Sequence, residues 1–293
     1  MRTFIFGTDW WSDCDDAVAL KILCNAHKKG EITLAGIAIN ACMEYSVASV
    51  DGFLAKEGIN SVPIGIDLEA TDFSGVGPYQ KRLSQYAVRY KKNEDAENAV
   101  RLYRKILASA AEKVEIIEVG FLNVFASLLE SEPDLISEKS GIELVKEKVS
   151  HIWVMAGKWD ENGGKEHNFC NNHRSRKAAR IFCEKCPARV TFLGFEIGVD
   201  VISGQHLSDG VLKDVLTDHR SENGRSSWDP MTAALALAGE PEKAGYSVVK
   251  GTARVDEADG SNFFRENENG LHRFVKRNFP AEYYSDIINS LID

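Results

Sequence analysis

The sequence predicts an α/β fold: an open, mostly parallel central sheet flanked by helices, with a C-terminal hairpin. Three observations predict it. The strand segments are continuous apolar runs, as expected of strands buried on both faces. They alternate with segments of helical periodicity, the pattern of β–α–β units. Polar clusters recur just after the strands, at the edge where open parallel sheets present their ligand sites.

Taken in order, "TFIFG" (3–7) is a short buried strand. "DDAVALKILCNAHKK" (15–29) carries Val18, Ile22 and Leu23 at helical spacing, and Gly30 closes it. "ITLAGIAIN" (32–40) is a second strand, 44–58 a second helix, and "VPIGID" (62–67) a third strand. The segment 68–98 mixes glycine, tyrosine and charge and is expected to be a loop followed by a polar helix. A helix over 99–112, a strand over 114–120 and a helix in "LNVFASLLES" follow, the last ended by Pro133. "VSHIWVMAG" (149–157) is a core strand, "HRSRKAARIFCEK" a helix and "ARVTFLGFEIG" (188–198) a further strand. Residues 206–218 and 229–239 are helical, the latter with Pro230 in its first turn. The tail is a hairpin of "YSVVKGTARVD" and "NFFRENENGLHRFVKR", then a helix near 280–292.

No linker, repeat or low-complexity tract interrupts this pattern, so residues 1–293 are expected to form a single domain. A net charge of −9 argues against nucleic acid, whose phosphates need a basic face. No run approaches the ~20 apolar residues of a membrane span. "MRTFIFG" has one arginine and no long apolar region, so a cytoplasmic protein, or one that has lost a leader, is expected. The six scattered cysteines fit reduced thiols. Cys183 and Cys186 form a CxxC without a second ligand pair at zinc-site spacing, and are expected to be structural.

The stretch "FIFGTDWWSDCDDAVALKIL" (4–23) stands apart. It crowds Asp9, Asp13, Asp15 and Asp16 into a strand-to-helix turn. A helix N-terminus favours anions by only ~0.3–1 kcal/mol, too little to hold four carboxylates together. A hard cation such as calcium, which takes several carboxylate and carbonyl oxygens, explains the crowding. The alternative is that Asp15 or Asp16 caps the helix and the others are solvated. The D-x-D pattern of HAD-type phosphatases, nucleophile first, fits "TDWWSDCDD" poorly.

With three other segments, this run resembles the inosine–uridine nucleoside hydrolase family. That family opens with a strand and an aspartate-rich turn, here "TDWWSDCDDAVAL". Its mid-chain T-G-P-L-T-N segment reads "VGFLNVFASLL", and its M-G-G strand end and A-E-F-N motif read "MAGKWD" and "KEHNF". The H-D-P or W-D-P that opens a late helix reads "SSWDPMTAALALAG", and "VVKGTARVDEADGSNFF" is similar to its C-terminal hairpin. The likeness spans essentially the whole chain.

The resemblance implies a nucleoside-hydrolase-like fold and calcium-dependent hydrolysis of the N-glycosidic bond of ribonucleosides, in purine salvage. It implies a Ca²⁺ ion held by Asp9, Asp16, Asp229 and the main-chain carbonyl of Val119. Asp15, Asn40, Glu166 and Asn168 would hold the ribose hydroxyls, with Met155 and Asn162 also contacting substrate. The calcium would also bind two ribose hydroxyls and the attacking water, whose proton Asp9 would take. A small-molecule nucleoside is the expected partner, with no nucleic acid and no membrane. The protein is expected to be a homo-oligomer, a dimer or tetramer.

Each of these residues also has a plainer reading. Asp229 before Pro230 is a good helix N-cap, Asn40 a turn former, and Glu166 and Asn168 ordinary loop polar groups. His167 reads as a packing residue rather than an acid.

The chain also departs from the family. Trp228 stands where many members have the histidine that protonates the leaving base. The purine-preferring branch has tryptophan there, so Trp228 points to purine nucleosides held by stacking, its plainer reading being a core or rim aromatic. "GTD" (7–9) replaces D-T-D, and Trp10, Trp11 and Ser12 replace a proline–glycine turn, with Asp13 as an extra carboxylate. The segment 68–80 lacks the family's histidine–glycine–aspartate loop and offers Phe73 and Tyr79 instead, as base contacts or surface aromatics. Two other functions stay open: a nucleoside- or sugar-binding homologue without turnover, and hydrolysis of another N-ribosyl compound.

Overall fold

A computed structural model describes every residue except Ser74 and Val76. The chain alternates strands and helices from its first residues: β1 (Arg2–Thr8), α1 (Asp15–Lys28), β2 (Ile32–Ile39), α2 (Ser46–Lys56) and β3 (Ile64–Ile66). Next come α3 (Gln80–Ser84), β4 (Glu97–Asn98), α4 (Ala99–Ser109), β5 (Val114–Glu118), α5 (Asn123–Leu129) and α6 (Gly141–Lys148). The second half runs β6 (Val149–Met155), α7 (His167–Cys170), α8 (His173–Lys185), β7 (Val190–Leu193), α9 (Phe195–Gly198), β8 (Ile202–Ser203) and α10 (Val211–Asp218). It ends with β9 (Arg225–Ser226), α11 (Trp228–Ala238), β10 (Tyr246–Val255), β11 (Asn262–Glu266), β12 (His272–Arg277) and α12 (Ala281–Ile292).

Among the described residues, ten strands form one sheet in the order β11-β10-β12-β7-β6-β5-β1-β2-β3-β4. All neighbours are parallel except β10, which runs antiparallel to both β11 and β12. The mostly parallel sheet is therefore as expected, but the C-terminal hairpin is part of it rather than an appendage. β12 pairs in parallel with β7 and extends the sheet, while β8 and β9 form a separate antiparallel pair. The sheet lies between two apolar layers. One joins Leu20, Leu23 and Phe53 to Leu235 and Ile288, the other Tyr103, Leu107 and Phe125 to Val145 and Phe182. No helix among the described residues is long and apolar enough to cross a membrane.

Three expectations need correcting. The polar helix in 68–98 is only the five-residue α3, followed by a 3₁₀ turn at Asn93–Asp95 and β4. Asp51 explains why: its carboxylate accepts the backbone N–H groups of Val88 and Arg89 at 2.7 Å and the Arg89 guanidinium at 2.8 Å, which fastens that segment in a non-helical path. The strand over 188–198 stops at Leu193; the chain leaves the sheet at Gly194, and Phe195 donates its N–H to Gly157 O while opening α9. Helix α6 was not anticipated, although Ser140 and Glu143 spell its capping box.

Register carries the polar residues to one edge. Thr8 lies beside Ile39 and Gly7 beside Glu118, so the next residues, Asp9, Asn40 and Val119, leave the sheet side by side. Glu118 also pairs with Val154, which brings Met155 next to Val119. Gly120 is needed here. A Cβ on it would lie 2.3 Å from Asp9 N and 2.7 Å from Asn40 Oδ1.

Gly52 has a similar packing role. A Cβ there would meet Leu83 O at 1.9 Å, because α2 packs directly on α3. Alanine normally gains about 1 kcal/mol over glycine inside a helix. Here overpacking of about 1–3 kcal/mol outweighs that gain. Gly52→Ala is expected to lower the melting temperature; an unchanged or higher value would show that α3 moves aside freely.

Candidate functional site

The turn after β1 is built around two tryptophans that point opposite ways. Trp10 is fully buried with φ +47°, a backbone region that a bulky side chain adopts only when its surroundings impose it. They do: its ring meets Phe53 and Tyr79 edge-on, and its Nε1 donates to Ser49 Oγ at 2.9 Å. Gln80 Nε2 donates to its carbonyl. With Trp10 anchored in the core, Trp11 is turned to the sheet edge.

There a cavity of about 240 Å³ is lined on its floor by Asp9, Asp15, Asp16 and Asp229, with Val119 and Met155. Glu166 and Asn168 form part of its side, and Asp13 and Ser12 its rim. Trp11 with His167, and Phe195 with Trp228, supply the aromatic lining. Among the described residues no lysine or arginine lines it.

The carboxylates are buried and close. Oxygens of Asp15, Asp16 and Asp229 lie within 4.8 Å of one another. Asp9 lines the same cavity but is not part of that trio. Asp16 accepts the Thr8 hydroxyl and the Trp10 N–H, and Asp15 accepts Asp229 N at 3.2 Å. Neither accepts an N–H of its own helix, so the capping alternative is not what is seen. Asp229 does not cap α11 either; the N-cap is Ser227.

Burial pushes the Asp9 carboxyl up to about 7, and the Asp15 charge adds to it. Burial also holds Asp15, Asp16 and Asp229 well above the carboxylate range, reinforced by Asp13, Asp9 and Asp15 respectively. Like charges gathered away from water need a cation or protons. These oxygens, with the Val119 carbonyl, are a donor set suited to a hard divalent cation.

Asp13 does not belong to that set. Its carboxylate forms a two-point pair with Arg225, at 2.9 Å to Nε and 2.5 Å to Nη2, so a cationic side chain already neutralises it. Its carbonyl accepts the Tyr79 hydroxyl at 2.6 Å. A separation of 212 positions between Asp13 and Arg225 leaves no sequence signal for that pair.

Asn168 Nδ2 donates to the carbonyls of Val119 (3.1 Å) and Met155 (2.9 Å), leaving Oδ1 as the amide's open acceptor. Glu166 spans Asn168 N (2.8 Å) and Gly157 N (2.9 Å), and burial raises it to about 7. Asn40 does not line the cavity itself. It lies fully buried against Gly120, accepts Phe121 N at 3.0 Å, and has an Nδ2 without a partner. Trp228 stacks on Phe195 at 5.4 Å, donates Nε1 to Phe195 O at 2.9 Å, and carries the Arg225 guanidinium 5.5 Å above its ring.

Asn162 is not brought to this cavity. Gly163 donates to Asn262 O, and Gly164 bridges Asn262, so the segment is drawn onto β11. Asn162 is exposed there and accepts Phe264 N at 3.2 Å. Phe73 and Tyr79 are not lining residues either. Phe73 stacks on Phe121 at 4.0 Å, and Tyr79 is fully buried. Ser74 and Val76 of the same loop lie outside the described residues. Phe195 was missed because its apolar run reads as strand; the signal was Gly194 before it. All six cysteines are free, and burial raises the thiols of Cys183 and Cys186, as fits structural residues.

No family model and no curated protein matches the chain. Solved structures do. An inosine–uridine preferring nucleoside hydrolase from Bacillus anthracis superimposes with a TM-score of 0.70 at 15% identity, over 100% of this chain and 99% of that one. A purine-preferring ribonucleoside hydrolase from Gardnerella vaginalis gives 0.69 at 16% identity, over 99% of each chain. The type III effector protein XopQ, complexed with adenosine diphosphate ribose, gives 0.66 at 14% identity, over 100% of this chain and 93% of that one. The chain thus has the fold of the nucleoside hydrolases.

Asp9 and Glu166 are each raised to about 7, so the folded protein holds protons that the unfolded chain releases from about pH 4 upward. The stability these two groups contribute therefore falls as pH rises through that window, and buried His151 and His272, whose pKa values are lowered, offset part of it below about pH 6.5. In chelator, the melting temperature is expected to be higher at about pH 5 than at about pH 8. Calcium added at the higher pH is expected to raise it, since a ligand of the native state alone stabilises that state. No response to calcium there would remove the cation site.

Proposed function

We propose that the protein hydrolyses the N-glycosidic bond of ribonucleosides, purine nucleosides foremost, to free base and ribose. One observation carries this reading: Asp9, Asp15, Asp16, Asp229 and Val119 line one cavity with Glu166, Asn168 and Trp228, in a chain with the nucleoside hydrolase fold. Residues 1–293 act as one unit in it.

Asp16, Asp229, Asp9 and the Val119 carbonyl would hold a divalent cation, proposed to be calcium. When bound, such a cation lowers the pKa of water and so favours attack near neutral pH. The protein's own groups do the rest. Asp9 takes the proton of the attacking water. Asn168 Oδ1, Glu166 and Asp15 accept from ribose hydroxyls, while Asn40 supports the cavity from behind by accepting Phe121 N. These contacts fix the sugar for attack as oxocarbenium-like charge grows at C1′. Trp228 stays rigid through Phe195 and Arg225, and its rim position supports contact with the base.

A second reading is binding of a ribose-containing ligand without turnover. It is favoured by the similarity to XopQ, whose structure holds adenosine diphosphate ribose. Ribose release separates the two readings.

Asp9→Asn is expected to abolish ribose release from inosine while leaving the fold intact by circular dichroism. Near-normal turnover by that variant overturns the assignment of Asp9. Across inosine, guanosine, adenosine, uridine and cytidine at matched concentrations, the purines are expected to lead. Trp228→Ala is expected to reduce purine turnover several-fold and leave calcium affinity unchanged, since stacking adds about 1 kcal/mol beyond buried area. If uridine matches inosine, the base is not held by stacking.

A further inference from the structure

We propose that His167 is the proton donor to the leaving group, a role for which no histidine stands at position 228. This inference rests on the N-ribosyl hydrolase reading. A purine anion is a poor leaving group, and a positioned acid typically contributes ~10²–10⁴-fold to the rate.

The other cavity groups are committed elsewhere. Trp228 spends its N–H on Phe195 O and is not an acid near neutral pH. Asp13 is paired at two points with Arg225. Glu166 accepts a backbone N–H on each of its oxygens, and Asp15 and Asp16 are likewise acceptors. Asp9 is the proposed base, Asp229 a proposed cation ligand, and a serine hydroxyl such as Ser12 is far too weak an acid. The 68–80 loop supplies no lining side chain among the described residues.

His167 remains. It opens α7 between Glu166 and Asn168, and so stands where the sugar contacts are proposed. Its ring stacks on Trp11 at 5.8 Å with an interplanar angle of 26° and leans on Phe121 at 5.6 Å. Asn171, one turn along the same chain, has its amide Nδ2 3.2 Å from Nε2; turned about its last bond, the same amide presents Oδ1 and accepts from the protonated ring. Nδ1 has no hydrogen-bond partner among the described residues. This is the geometry of an acid oriented by a third group. Burial lowers its pKa, and the Asp13 charge opposes that and favours the protonated ring.

The step balances. The C1′–N bond breaks, and its electron pair passes to the leaving ring, which takes the His167 proton. Water forms the C1′–O bond and gives its proton to Asp9. His167 recovers a proton from solvent.

The test compares inosine, whose base needs a proton to leave, with 4-nitrophenyl riboside, whose phenolate does not. His167→Gln is expected to lower kcat on inosine by ~10²-fold or more. On the nitrophenyl riboside it is expected to stay within about twofold of wild type, because no acid is needed there. His167→Phe, which preserves the stack on Trp11, should behave alike. Equal losses on both substrates, or no loss on either, overturn the proposal, since packing alone would not discriminate between leaving groups. A wild-type protein that cleaves the nitrophenyl riboside but not inosine overturns the acid while sparing ribosyl hydrolysis. One that cleaves neither overturns both.

Discussion

Four carboxylates buried at one edge of a sheet are the constraint around which the rest is arranged. Asp9, Asp15, Asp16 and Asp229 are each nine-tenths buried or more. In a low-dielectric setting their repulsion is strong, and burial alone already opposes their charge. Such a cluster persists only if the chain around it is held rigidly or if a cation compensates it. Both apply here. Asp16 and Asp229 open helices whose apolar faces are locked in the same core layer. Asp9 leaves a strand paired on both sides.

The turn between Asp9 and Asp15 is where the strain collects. Trp10 holds a left-handed backbone conformation, and the fold pins it through its ring, its indole N–H and its carbonyl. That anchoring decides the direction of Trp11, and with it one wall of the cavity. Asp13 in the same turn would add a fifth charge. The Arg225 pair removes it from the cluster, and the same guanidinium covers Trp228. One cation thus keeps Asp13 out of the ligand set and stiffens the opposite wall.

Much of the scaffold was legible because burial on both faces writes itself as apolar runs. β1, β2, β5 and β6 lie within a few residues of their expected bounds, and α8 coincides with its segment. The failures occur where local pattern is overruled by distant contacts. Asp51 fastens the segment that would have continued as a polar helix. Gly194 ends a strand whose hydrophobicity carries on into α9. The floor was legible as positions after strands and at helix starts, since register brings Asp9 and Val119 together and α1 and α11 begin at its other aspartates. Asn162 was misplaced because its position depends on a bridge to β11, about a hundred residues away. The Asp13–Arg225 pair and the covering of Phe73 by Phe121 are contacts of the same kind, invisible to spacing.

This contrast divides the site into two parts with different physical origins. The floor is set by sheet register and helix starts, which a fold retains even at 14–16% identity. The walls come from the turn carrying Trp11, from α7 and from α9, short segments whose side chains change without moving the sheet. In the proposed reaction the floor would hold ribose and a cation. The walls face whatever is attached to the sugar. On the proposals above, His167 on one wall and Trp228 on the other would bear on the leaving group. If the proposed reaction holds, a change there would alter which bond is cleaved without disturbing the carboxylates beneath. One fold can on these grounds carry different functions, because function rests on groups that the sheet does not specify.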